Sequence, residues 1–176
     1  DKTDLKRYPR NLNADLKLLE NTGCSIVFAP DNNEIYPEPD NRIFDFGILD
    51  KVMEGKHRKG HFNGVAQIVS ILFELINPEK AYFGLKDFQQ LVIIKQLIRM
   101  LNLQVEIIPC PIIREPGGLA MSSRNELLTP EERENASLIY RTLQEADTQT
   151  GKKSVKGLIK WVIAKINNNP YLTVDY

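Results

Sequence analysis

Apolar residues recur at helical spacing along much of the chain, and short continuous apolar runs separate these stretches. The helical spacing predicts helices over 11–20, 48–54, 65–76, 88–101, 130–146 and 155–166. The apolar runs predict strands over 25–29, 81–83 and 105–108, each close to a glycine or a proline. The order strand, helix, strand, helix, strand predicts an α/β fold with a parallel sheet and right-handed crossovers.

The character of the chain changes near Pro111, so we predict two domains, 1–111 and 112–176. The first carries the alternating strands and helices, and ligands of such sheets bind beyond the carboxyl ends of the strands. The second is predicted to be a smaller α+β domain. Thr129, Pro130 and Glu132 form a capping-box sequence with proline at the first helical position, which predicts a sharp helix start.

Composition excludes several classes of protein. Hydrophobic residues make up 42% of the 176 residues, which is enough for a core and argues against disorder. The 23 basic and 23 acidic residues give a net charge of +0, whereas a general nucleic-acid binder carries a basic excess. No apolar run is long enough to span a membrane, and no secretory signal is visible. Two cysteines, Cys24 and Cys110, predict reduced thiols in a cytoplasmic protein.

The first candidate for chemistry is the run 83–90, which we interpret as strand, tight turn and helix. Gly84 ends the strand and lets a ligand approach the backbone, and Asp87 is a good N-cap for the helix. A helix N-terminus suits phosphate, and Lys86 adds a full positive charge there. Gln90, in the first turn, can donate and accept hydrogen bonds. The alternative is an ordinary strand-to-helix turn with a solvated lysine.

The second candidate is the run Met121, Ser122, Ser123 and Arg124, which follows two glycines. Two hydroxyl groups and the planar fork of a guanidinium can surround a polyphosphate. The same residues are also ordinary loop composition, so the run gains its weight from being paired with Lys86. We expect both cationic elements to meet at one triphosphate cleft.

Both histidines, His57 and His61, lie in a basic segment between Gly55 and Phe62. We do not expect them to bind a metal, because the glycines discourage a helix and no third ligand is near in sequence. Arg58 and His61 could offer charge and hydrogen bonds to an anionic substrate such as a carboxylate. The alternative is a solvated basic loop.

Three separated motifs, in this order, closely resemble the pantothenate synthetase (pantoate–β-alanine ligase) family. The motifs are residues 55–65, residues 83–91, and Arg114 followed by residues 118–125. Residues 7–10, and residues 28–30 with 36–37, also fit the family. The resemblance therefore spans nearly the whole chain.

The resemblance implies a Rossmann-like domain of the nucleotidyltransferase superfamily, a smaller C-terminal domain that covers the site, and a homodimer. It implies ATP and Mg²⁺ as cofactors and pantoate and β-alanine as substrates, while the net charge and the lack of a spanning apolar run argue against a nucleic-acid or membrane partner. ATP and pantoate would give an enzyme-bound pantoyl adenylate and pyrophosphate. The amine of β-alanine would then attack the adenylate, giving pantothenate and AMP.

The resemblance also implies a role for each candidate site residue. These roles are ribose binding by Gly84 and Asp87; phosphate binding and catalysis by Lys86, Ser122, Ser123 and Arg124; further ATP contact by Leu85; adenine contact through the backbone of Ile113 and Met121; and pantoate binding by Gln90, Arg58 and His61. No metal ligand is implied.

The chain departs from the family in two places. Lys59 stands where the family has proline, which we expect to be tolerated. The family's HIGH-like motif and a pantoate-binding glutamine would precede Asp1, as would the first strand of the sheet, so we expect this piece alone to be nearly inactive. Two alternatives remain open. One is a non-catalytic nucleotide-binding module of the same superfamily, and the other is an RNA-linked relative of the synthetases, against which the zero net charge speaks.

Overall fold

The computed structural model describes residues 11–176. The motif at residues 7–10 lies outside the described residues. The described chain divides into two compact units, Ala14–Ile112 and Ile113–Tyr176, with residues 11–13 grouped with the second. The predicted domains 1–111 and 112–176 stay a prediction about the whole protein.

Helices and one small parallel sheet make up the first part of the chain. The helices are α1 (Leu12–Asn21), α2 (Asn32–Ile35), α3 (Met53–His57), α4 (His61–Ile76) and α5 (Phe88–Leu101), and the strands are β1 (Lys80–Gly84) and β2 (Glu106–Cys110). The strands pair in parallel from Lys80 opposite Glu106 to Gly84 opposite Cys110. A parallel pair connected through a helix confirms the predicted α/β class.

The core of this unit lies between α4, α5 and the sheet. Its buried members are Phe44, Phe46, Phe62, Ala66, Val69, Phe73, Ile93, Ile94 and Leu97, with Ala81, Phe83 and Ile107 of the strands packed against them. Spacings of three and four residues place the helical members on one face of each helix, as the apolar pattern predicts. The core therefore packs α5 against the sheet, and α5 begins at Phe88, shortly after β1 ends at Gly84.

The second unit is built on two helices, α6 (Pro130–Thr148) and α7 (Val155–Asn167), which follow a 3₁₀ helix at Ser123–Leu127. The predicted capping box is confirmed, because the Thr129 hydroxyl accepts from the Glu132 N–H and the Glu132 carboxylate accepts from the Thr129 N–H. The β-type contacts of this unit are isolated bridges, one of which joins Arg114 and Ala120.

Two local predictions are wrong. Residues 25–29 form no strand, and Ile26 is 84% exposed, because none of the described strands pairs with this run. Residues 48–51 form turns, and the helix begins only at Met53. Gly55 therefore lies inside a helix, although we expected it to prevent one.

Candidate active site

A cavity of about 270 Å³ lies beyond the carboxyl end of β1, within the unit Ala14–Ile112. After Gly84 the chain makes one 3₁₀ turn, Leu85–Asp87, and then enters α5 at Phe88. This turn forms one wall, and α3 with the start of α4 forms the other. The lining residues are Met53, Glu54, Arg58, His61, Phe62, Lys86, Asp87, Phe88, Gln89 and Gln90.

The cavity brings together five residues that were predicted from separate parts of the sequence. Arg58 and His61 come from the basic segment, and Lys86, Asp87 and Gln90 come from the strand–turn–helix segment. Arg58 and Lys86 carry a fixed positive charge, Glu54 and Asp87 are carboxylates at the same cavity, and the first turn of α5 adds the positive end of a helix dipole. The cavity therefore offers an anionic group two cationic partners, and it offers ligand hydroxyl groups both donors and acceptors.

Asp87 occupies the position before α5, but its side chain makes no capping hydrogen bond. The prediction that Asp87 caps this helix through its side chain is wrong. The 3₁₀ turn supplies the approach to the helix instead, so the carboxylate remains exposed at the cavity. An exposed carboxylate at this point can accept hydrogen bonds from a ligand hydroxyl group.

Gly84 has an ordinary extended backbone, with φ −69° and ψ 134°. A Cβ built at Gly84 would lie 4.0 Å from its nearest neighbour, the backbone nitrogen of Lys86. The fold itself therefore does not require glycine here. Its role in leaving room for a ligand stays a prediction.

His57 and His61 belong to different helices, because Gly60 separates α3 from α4 in the left-handed conformation at φ 77°. Burial lowers the pKa of His61 most, and the positive charge of the nearby Arg58 lowers it further. The negative charges of Glu54 and Asp87 act in the opposite direction. The neutral imidazole is thus favoured, so His61 is a hydrogen-bonding group more than a cation. Within residues 11–176, no group of three or more histidine, cysteine or acidic side chains could hold a metal ion.

Arg58 contacts Glu54 one helical turn away, with Nη1 3.4 Å from Oε2. The two side chains are 51% and 41% exposed. Ion pairs of this kind contribute about 0.3–0.5 kcal/mol on a helix surface. Arg58 can therefore turn its guanidinium toward a substrate carboxylate at little cost.

Residues 121–124, which we call the serine–arginine loop, lie in the second unit, where a short antiparallel contact supports them. The Met121 N–H donates to the Ile113 carbonyl at 2.9 Å, and the Glu115 N–H donates to the Leu119 carbonyl at 2.8 Å. The first of these bonds uses one backbone group of each residue predicted to contact adenine. Ser122 then opens the 3₁₀ helix, and its hydroxyl accepts from the Arg124 N–H at 3.3 Å.

Glu115 connects this loop to α6. Its Oε1 accepts from Asn125 Nδ2 at 2.7 Å, and its Oε2 accepts from Arg133 Nε at 2.7 Å. The hydrogen bond from Arg133 has the largest effect on the pKa of Glu115, and the bond from Asn125 adds to it. Together they lower this pKa to about 2. Arg114 is held separately, over the ring of Tyr140 at 3.7 Å and by a bond to the Gly118 carbonyl. The backbone that carries Ser122, Ser123 and Arg124 is therefore fixed on both sides.

Several residues at these sites were missed by reasoning from sequence. They are Met53, Glu54 and Gln89 at the cavity, and Glu115 with Asn125 beside the serine–arginine loop. Gln89 had a usable signal, because it lies four and eight residues before the buried Ile93 and Leu97. A polar side chain in the buried stripe of a helix must find partners.

These features define an α/β protein with a cavity lined by charged side chains of both signs beyond a parallel strand, the position at which such folds bind their ligands. The sequence pattern of the pantoate-beta-alanine ligase family matches residues 1–176. The pantothenate synthetase of Porphyromonas gingivalis is 51% identical over 176 residues, which are all of this chain and 63% of that protein. The chain belongs to the pantoate–β-alanine ligase family.

Solved structures agree with this assignment. The crystal structure of pantothenate synthetase from Thermus thermophilus matches 97% of this chain and 62% of its own, with a TM-score of 0.89 at 41% identity. A pantoate-beta-alanine ligase from Francisella tularensis, complexed with beta-gamma ATP and beta-alanine, matches 94% of this chain and 62% of its own. Its TM-score is 0.82 at 33% identity. The chain thus spans less than two thirds of the length of these relatives.

Proposed function

We propose that the full-length protein condenses pantoate with β-alanine to form pantothenate, using ATP and releasing AMP and pyrophosphate. The observation that carries the proposal is the cavity shared by Arg58, His61, Lys86 and Gln90. These residues come from two of the three motifs by which the chain resembles its family. Membership of that family supports the reaction, and so does the relative complexed with beta-gamma ATP and beta-alanine.

Pantoate carries one carboxylate and two hydroxyl groups, and the cavity offers complementary groups. In the proposal, Arg58 pairs with the carboxylate before reaction, neutral His61 donates or accepts a hydrogen bond, and the Gln90 amide contacts a hydroxyl group. Binding in this way would hold the carboxylate in the cavity that Lys86 also lines. Positioning of this kind supplies a large part of the rate enhancement in reactions of two bound substrates.

In the first proposed step, a carboxylate oxygen of pantoate attacks the α-phosphorus of ATP. The new O–P bond forms as the bond to the bridging oxygen breaks, and pyrophosphate leaves. Lys86 and Arg124, with the hydroxyl groups of Ser122 and Ser123, would stabilise the charge that builds on the phosphate oxygens. In the same proposal, Gly84, Leu85 and Asp87 contact the ribose side of ATP, and Ile113 with Met121 contact adenine.

In the second step, the neutral amine of β-alanine attacks the acyl carbon of the adenylate. The C–N bond forms, AMP leaves with the electrons of the C–O bond, and the amine loses a proton. Mg²⁺ would enter with the phosphates, because it prefers phosphate oxygens and water to an all-protein cage.

We further propose a cytoplasmic homodimer. None of the helices in residues 11–176 is long and apolar enough to cross a membrane.

The test uses the full-length protein and two assays. Exchange of labelled pyrophosphate into ATP that requires pantoate would support adenylate formation, and pantothenate formation with β-alanine would support the whole reaction. A nucleotide-binding module would bind ATP without exchange, and that result would overturn the proposal. A salt-dependent gel shift with tRNA, in the absence of exchange, would favour the RNA-linked alternative.

We propose that residues 1–176 alone turn over very slowly, and a rate equal to that of the full-length protein would contradict this.

A further inference from the structure

We infer that Gln89 is a positioning residue for the cavity proposed to bind pantoate, which we call the pocket. The inference rests on the proposed function. Gln89 lies in the first turn of α5, next to Gln90, and is only 9% exposed. Its side chain points away from solvent and toward residues 49–54, which we call the wall segment. This segment ends in Met53 and Glu54, which line the cavity together with Gln89 itself.

The Gln89 carboxamide makes three hydrogen bonds, all to the backbone of the wall segment. Its Oε1 accepts from the Glu54 N–H at 3.0 Å. Its Nε2 donates to the Leu49 carbonyl at 2.7 Å and to the Val52 carbonyl at 2.9 Å. One buried amide thus binds the segment at both ends, so loss of the amide would leave three backbone groups without this partner.

The wall segment is held in a conformation that the chain does not adopt readily by itself. Met53 has φ 48°, in the left-handed region that a long side chain seldom occupies. Such strain persists only where surrounding contacts enforce it, and it is concentrated at functional sites. The Gln89 bonds to Val52 and Glu54 lie on either side of Met53, so they enforce the turn that begins α3.

The direction of α3 decides where Arg58 and His61 stand. Glu54 is its second residue and pairs with Arg58 one turn later, and the Arg58 carbonyl accepts from the His61 N–H at 3.0 Å. Gln89 therefore acts through the wall segment on one side of the pocket, while Gln90 faces the pocket from the other. The amide of Gln89 sets the spacing between the two walls.

The test compares two variants of the full-length protein that each remove a backbone-bonded amide, Gln89→Met at the buried Gln89 and Gln67→Met at the half-buried Gln67. Gln67 is the matched control, because its Nε2 also donates to two backbone carbonyls, those of Asp40 and Arg42, each at 2.8 Å. Gln67 does not line the cavity. We expect Gln89→Met to raise the KM for pantoate on the order of tenfold and to leave the KM for ATP unchanged. Gln67→Met should lower the urea midpoint without changing either KM.

Equal KM values for pantoate in the two variants would overturn the positioning role while leaving the proposed function intact. A wild-type protein without pantoate-dependent exchange would overturn the proposed function and the positioning role together. A measurement on the wild type covers the case in which Gln89→Met fails to fold. The Glu54 amide should exchange with deuterium at least tenfold more slowly than an unstructured peptide, and unprotected exchange would overturn the inference.

Discussion

Arg133 clamps Glu115 with two hydrogen bonds, from Nε to Oε2 at 2.7 Å and from Nη2 to Oε1 at 2.8 Å. Two parallel bonds of this kind are the strongest way in which a guanidinium binds a carboxylate. The pair fixes α6 to the segment before the serine–arginine loop, and Asn125 completes the cluster from the other end of that loop. The loop proposed to bind phosphate therefore depends on a carboxylate that is not itself proposed to touch ATP.

We expect Glu115→Gln to weaken ATP binding in the full-length protein. The amide keeps the shape of the side chain but loses the charge that holds Arg133, and it can accept from only one oxygen. The KM for ATP should rise about tenfold, while the KM for pantoate should change little. Glu134→Gln, on the exposed side of α6, is the control and should change neither value. An unchanged KM for ATP in Glu115→Gln would show that the cluster does not position the loop.

The same carboxylate predicts a pH dependence of stability. The pKa of Glu115 falls from an ordinary 4.5 to about 2 on folding. A lowered pKa means that the ionised form stabilises the folded state, fully above pH 4.5 and progressively less as the pH falls toward 2. The difference in urea midpoint between wild type and Glu115→Gln should be constant near neutral pH and shrink below pH 4.5. A difference that stayed constant down to pH 2 would contradict the assignment.

Lys86→Ala should slow adenylate formation without affecting the fold. Lys86 is exposed at the cavity, so its loss removes no packing, but it removes a positive charge proposed to stabilise the phosphate oxygens. Pyrophosphate exchange should fall by roughly 10²–10³-fold, as it does when a donor to a developing charge is removed. Lys95→Ala, exposed on α5, which follows the 3₁₀ turn of Lys86, is the control and should exchange normally. Normal exchange in Lys86→Ala would remove Lys86 from the proposed phosphate site.

Gly55 permits the close approach of α3 to the turn before it. A Cβ at Gly55 would lie 2.1 Å from the Asp50 carbonyl oxygen, so the backbone would have to move. We expect Gly55→Ala to lower the free energy of unfolding by about 1–3 kcal/mol, as overpacking does. Gly64→Ala is the matched control. A Cβ at Gly64, inside α4, would meet nothing within 4 Å, so alanine there should stabilise the protein by up to about 1 kcal/mol. Equal midpoints for the two variants in urea unfolding would contradict this account.

Local sequence signals predicted the elements that are stabilised locally or by a continuous apolar face. The spacing of Leu91, Ile94 and Leu97 indicates α5, and Thr129 with Glu132 indicates the start of α6, because each pattern carries its own stabilising contacts. Residues 25–29 were predicted wrongly for the complementary reason. An apolar run becomes a strand only when another strand accepts its hydrogen bonds, and a run of sequence carries no information about that neighbour.

The candidate site was predicted in part, and the division again has a physical cause. Lys86, Gln90, Arg58 and His61 present their charge or hydrogen-bonding groups directly, so residue type and motif were informative. Gln89 and Glu115 act through backbone or through another side chain, and their partners lie 35 and 18 residues away in the chain. Such partners become visible only once the fold brings them together.

The pairing of Gly84 with Cys110 across the two strands has a practical consequence for experiments. Cys110 is a free, partly buried thiol at the end of β2, beside the residue where β1 opens into the cavity. A fluorescent maleimide attached at Cys110, after the exposed Cys24 is changed to serine, would stand beside the end of β1, which leads into the turn that lines the cavity. Its emission would then serve as a direct optical signal of substrate arrival, without any engineered label position.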